Sequence, residues 1–162
     1  MNEQLRRLYD FTLGYIESLL ADVPDEEMAT QPRGGGNPPA WIVGHLAVVN
    51  DAVGKTLGLA PELPEAWGAE FGPGSSPAPA SDVGYPPKDE LLTALRASHA
   101  RVREAVSGVD LATLTDPNPI AQLRRGLPTV GDLVAHCLST HAAMHAGHLS
   151  SWRRQTGRPP LL

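Results

Sequence analysis

The chain has 162 residues, 41% hydrophobic and 19% charged, with a formal net charge of −5, six histidines and a single cysteine. That is enough apolar material for one domain over residues 1–162, while the negative charge and dispersed Lys and Arg argue against a nucleic-acid or anionic-membrane partner. Lone Cys137 cannot form an internal disulfide, no run of about eighteen uncharged apolar residues reads as a membrane span, and the broken-up first dozen residues do not read as a signal peptide; a cytoplasmic setting is expected.

Residues 2–21 read as an amphipathic helix, with Leu5, Leu8, Tyr9, Leu13, Ile16, Leu19 and Leu20 at helical spacing and Glu3, Arg6, Arg7 and Glu17 outside the stripe. Val23 to Met28 offers one further turn, because Pro24 suits a first helical position and the acids after it favour the positive end of the helix dipole. The stretch from Gln31 to Pro39 is a connection. Its glycines lack the G-K-[ST] that a phosphate loop requires.

Asn37 as cap and Pro38 or Pro39 in the first turn then open a second helix over 39–57. Trp41, Ile42, His45, Val48, Val49 and Ala52 follow its 3.6 period, so His45 points inward. Residues 58–87 are rich in Pro and Gly and form a long crossover, with a turn of helix near Glu62 to Glu70. Trp67, Phe71 and Tyr85 are its apolar anchors. Such a segment either covers a site or simply joins two parallel helices.

A third helix over 87–107 buries Leu91, Leu92, Leu95, His99, Val102 and Val106. His99 stands alone on it, which fits a core histidine or a group supporting a ligand better than a ligand. A turn at Asp110 to Leu114 precedes the fourth helix, 128–156, which Gly157 stops. Near its end, Arg153, Arg154 and Arg158 make a basic patch that complements the helix dipole and could meet an anionic group.

The fourth helix carries His141, His145 and His148. At about 100° per residue, His145 lies about 40° from His141 and His148 about 20° to the other side, all on the apolar stripe. Each could be a neutral, hydrogen-bonded core residue. Alternatively, i, i+4 imidazoles can grip one divalent ion, and His45 from a facing helix would complete an open three-histidine site. Ala142 stands where a zincin's H-E-x-x-H needs Glu, which argues against metalloprotease chemistry. His136, five residues before His141, is rotated from it by about 140° and is expected to face solvent or a subunit interface.

Trp41-Ile42-Val43-Gly44-His45-Leu46-Ala47, followed by His141 to Arg154 and Gly157-Arg158-Pro159-Pro160, resembles the DinB-like superfamily of metalloenzymes, with Tyr85-Pro86 at the matching start of the third helix. The resemblance implies an all-α four-helix bundle of up-down-down-up order, with the long crossover between helices 2 and 3. It also implies a divalent metal on His45, His141 and His145, for which imidazole ligands suit Zn, Ni or Fe. His148 stands where relatives often have Gln, which makes it a fourth ligand or a partner to one. The implied activities are transfer chemistry dependent on a low-molecular-weight thiol or, alternatively, amidase-type hydrolysis. A non-catalytic, stress-associated metal-binding bundle is the remaining reading, and a homodimer is expected.

Overall fold

The computed structural model describes residues 3–77 and 84–161, so part of the crossover, 78–83, lies outside the described residues. Among the described residues the protein is all-helical, with one isolated bridge between Pro117 and Thr129. Helix α1 spans Glu3–Leu20, α2 Pro39–Thr56, α3 Glu65–Phe71, α4 Lys88–Gly108 and α5 Leu111–Thr115. The last long helix is continuous but not uniform: α6 (Val130–His136) passes through a π-turn at Cys137–His141 into α7 (Ala142–Gln155).

Local chemistry sets several of these boundaries. Thr129 caps α6 in a reciprocal box, its hydroxyl accepting from the Asp132 N–H while the Asp132 carboxylate accepts from the Thr129 N–H. Gly157, at φ 83°, ends α7; the N–H groups of Arg158 and Gly157 return to the carbonyls of Arg153 and Arg154. At α2 the expected Asn37 cap is not used. Pro38 occupies the cap position without a side-chain hydrogen bond, and Pro39 takes the first turn, where a missing N–H costs nothing.

Helix α2 is the central element, packed chiefly against α4, while α1 packs on the last helix. Residues Pro39 to Ala47 are buried on every side, a wider face than the expected stripe, whose end at Ala52 is exposed. Cross-helix polar pairs fix the register. Tyr9 donates to the Asn50 side chain at 2.8 Å, and Arg103 holds Asp10 at 2.9 Å. Arg96 pairs with Glu17, and Arg101 with Asp51 at 3.2 Å.

The basic patch expected near the end of the last helix is largely committed to structure. Arg153 is 2% exposed, donates to the Leu19 carbonyl at 2.7 Å and pairs with Asp22. Arg158 pairs with Glu27. The cause is geometric: the end of α1 lies against the end of α7, so Arg153 meets the free carbonyls there and not water.

Candidate metal centre

Three imidazoles, those of His45, His141 and His145, converge so that one nitrogen from each lies within 4.8 Å of the others. His45 comes from the buried N-terminal half of α2, His141 from the last residue of the π-turn, and His145 from the first turn of α7. His45 and His145 are buried and His141 is half-buried. Ring centroids are 5.2 Å apart for His45 and His141, 4.8 Å for His45 and His145, and 4.7 Å for His141 and His145.

The orientation of His45 is settled by its surroundings. Its Nδ1 lies 2.6 Å from the Phe71 carbonyl, which can only accept, so Nδ1 carries the proton and Nε2 presents a lone pair. That Nε2 is 3.2 Å from His141 Nε2. Two ligands of one tetrahedral ion at about 2.0–2.1 Å would sit about 3.4 Å apart, so the rings already have nearly the spacing of a shared ion. A purely hydrogen-bonded pair would satisfy two rings and leave the third facing them. The Nδ1 atom of His141, on the far side of the ring from its Nε2, and the Nδ1 atom of His145 are buried without a partner among the described residues.

Electrostatics favour the ligand form. Burial, then the neighbouring His141, His45 and His148 rings, push His145 down to about 3. Burial, then His45 and His136, push His141 down to about 4. His45 is lowered by burial, opposed by its bond to the Phe71 carbonyl. All three are therefore neutral at physiological pH, with lone pairs free for a cation. Donor type, convergence and protonation state all fit a divalent metal.

His148 does not join the three. It is exposed, its ring edge-on to His145 with centroids 5.5 Å apart. The buried strip of α7 includes Ala142, His145, Ala146 and Leu149, and His148 falls about 100° from Leu149, outside it. His136 departs from the expectation in the opposite sense. It is half-buried, with its ring 5.7 Å from that of His141 and Nδ1 2.7 Å from the Thr140 hydroxyl. The π-turn inserts one extra residue between them and takes back about 100° of the 140° that an α-helix would impose. His99 is a core residue: it stacks on Tyr9 at 3.8 Å, and burial lowers its pKa.

Three supporting groups were not visible as ligands in the sequence. Trp41 stacks on His45 with centroids 4.6 Å apart and planes 10° apart, and its indole N–H donates to Ser75 at 3.1 Å. The Phe71 carbonyl is a backbone atom. Gly44, next to His45, leaves the space in which the Phe71 ring lies.

The family model of the DinB superfamily matches residues 8–149. The chain belongs to the DinB superfamily. No curated protein matches it in sequence. The match spans both the α2 histidine and the two on the last helix, and so covers the whole three-histidine cluster. No helix among the described residues is long and apolar enough to cross a membrane.

Proposed function

We propose that this DinB superfamily protein is a metal-dependent enzyme that holds one divalent ion, Zn, Ni or Fe, on His45, His141 and His145, and that it catalyses thiol-dependent transfer on a small-molecule substrate. The observation that carries the reading is the convergence of three neutral, largely buried imidazoles from two helices, with ligand atoms within 4.8 Å of one another. Imidazole donors suit these borderline metals better than Mg or Ca. When bound, such an ion lowers the pKa of a thiol or a water and makes it a nucleophile at neutral pH.

The chain's own residues prepare that role. Burial keeps the rings unprotonated, the Phe71 carbonyl fixes the His45 tautomer, and Trp41 covers one face of the His45 ring against water. Three protein ligands leave coordination room for a substrate, which a fourth imidazole would take; the exposed position of His148 supports the open arrangement. Thiol transfer is placed ahead of amidase-type hydrolysis because, among the described residues, no carboxylate joins the cluster to act as a base for water.

The wider reading is a single-domain, cytoplasmic four-helix bundle in up-down-down-up order. Its support is in the pairings: residues 50 and 51 meet 98 and 101 in the same direction, while 10 and 17 of α1 meet 103 and 96 in the opposite one. A homodimer is supported by Leu8 and Phe11, exposed on α1 at 55% and 65%.

Metal analysis of purified protein tests the assignment directly. Wild type should hold about one equivalent, and His141→Ala or His145→Ala should lose it while remaining helical. His148→Gln should keep it. Full, tight binding by His141→Ala would refute the site, and metal without turnover of any thiol and electrophile pair would favour a non-catalytic bundle.

A further inference from the structure

We propose that the crossover between α2 and α4 is part of the histidine centre, so that docking of α3 and occupancy of the site by a divalent cation reinforce one another. The inference rests on the metal reading above and adds to it a positioning group, the Phe71 carbonyl, and a coupled element, α3.

The three rings are held unequally. His45 has its second nitrogen on the Phe71 carbonyl at 2.6 Å, whereas the corresponding nitrogens of His141 and His145 are buried without a partner among the described residues. His45 is therefore the ring whose direction and tautomer are set before any ion arrives, and the group that sets them comes from the crossover. A carbonyl at the end of a helix has no partner within that helix and is free to accept from a neighbour. Phe71 is the last residue of α3.

Two glycines make the placement possible. At Gly44, a Cβ would come 2.5 Å from Phe71 Cδ1 and 2.7 Å from Cε1 and Cγ. The fully buried Phe71 ring thus rests on bare α2 backbone beside His45, which sets the height of α3 over the site. At Gly72, a Cβ would come 2.2 Å from the Gly68 carbonyl oxygen, the acceptor of the Gly72 N–H. The chain can leave α3 there only without a side chain. Trp67 and Tyr85 pack on Phe71 with centroids at 5.2 and 5.9 Å, and Trp41, stacked on His45, is tied to Ser75 of the same crossover.

With α3 undocked, Nδ1 of His45 loses its acceptor, and the ring can turn or change tautomer, presenting a protonated nitrogen to the site. Loss of such an outer partner lowers metal affinity by about 10–100-fold. Linkage requires the reverse effect by the same factor: a bound cation must shift α3 towards its docked state.

Hydrogen exchange on the full chain, with and without saturating zinc, reads that reverse effect. Amides of residues 65–72 should exchange about 10–100-fold more slowly with zinc, beyond any change in α1. Competition titrations should show Gly44→Ala and Gly72→Ala binding zinc about 10–100-fold more weakly than wild type. If wild type binds zinc while exchange in 65–72 is unchanged relative to α1, the coupling is refuted, and wild-type affinity in a folded Gly44→Ala protein refutes it as well. Should both glycine variants fail to fold, the exchange measurement on wild type decides alone. Failure of wild type to bind zinc, nickel or iron would overturn the metal reading itself, a result distinct from a zinc site uncoupled from α3.

Discussion

Lowering the pH of the metal-free protein from about 7.5 to about 5 should cost it about 2–4 kcal/mol of folding stability through His141 and His145. In an unfolded chain each imidazole titrates near 6.5, whereas in the fold burial and neighbouring rings hold His145 at about 3 and His141 at about 4. Between those values and 6.5 the unfolded state binds more protons than the folded one, so stability rises with pH through this window. The contribution is fully present above about 6.5 and is lost as the pH falls. At pH 5, about 1.5 units below the unfolded value, each ring forfeits about 2 kcal/mol. Because the rings interact, the sum of about 4 kcal/mol is an upper bound. Against a total of about 5–15 kcal/mol for a domain this is a large share. Urea titrations in chelator across this range, on wild type and on a His141→Ala, His145→Ala double variant, measure it. The double variant, whatever its overall stability, should lose most of the slope. Parallel stability curves for the two proteins would show that the rings are not held neutral by the fold.

Three further outcomes follow from individual contacts. Arg153→Met should lower stability by about 1–3 kcal/mol in thermal or urea melts, since the Leu19 carbonyl loses its charged donor, while the exposed Asp22 carboxylate is left to water. Tyr9→Phe should cost about 1–3 kcal/mol by the same measurement, because it strips the donor from the buried Asn50 side chain. In sedimentation experiments at micromolar concentration the wild type should run as a dimer and Phe11→Glu as a monomer, with Phe11 being 65% exposed on α1 beside Leu8.

The helices were legible because the long ones carry apolar residues at helical spacing and Pro or Gly marks several of their ends. The stripe from Leu91 to Val106 is buried throughout α4, as its spacing implies, and Gly157 ends the last helix at the expected point. The His45, His141 and His145 cluster was legible for a related reason: i, i+4 spacing survives the transition from the π-turn into α7. The Phe71 carbonyl was not, because a backbone acceptor leaves no mark in side-chain chemistry. A signal for it did exist in Gly44. A glycine inside a helix costs about 1 kcal/mol relative to Ala, and one beside an inward histidine suggests that something packs on bare backbone there. The exposure of His148 was hidden because helical periodicity defines a face without saying how wide a strip the neighbours cover.

The π-turn itself can be traced to the apolar spacing of the last helix. Val130, Val134, Leu138, Ala142 and Ala146 are all buried, and each follows the previous one by four residues. In an α-helix every four-residue step advances the stripe by about 40°, so four steps would carry it about 160° around the axis, off the face that began it. An uninterrupted helix could bury Val130 and Val134 against α1 and α4 or Ala142 and Ala146 against α2, but not both. One i→i+5 turn returns about 100° of that drift, and it falls at Cys137–His141, between the two halves. Val130, Val134 and Leu138 then pack in the cluster with Tyr9, Val102 and Val106, while Ala142, Ala146 and Leu149 pack in the other with Ile42 and Phe71. The three-histidine cluster begins where this correction ends. His141 is the last residue of the turn, so the same extra residue that reconciles the two cores also sets the direction from which His141 meets His45.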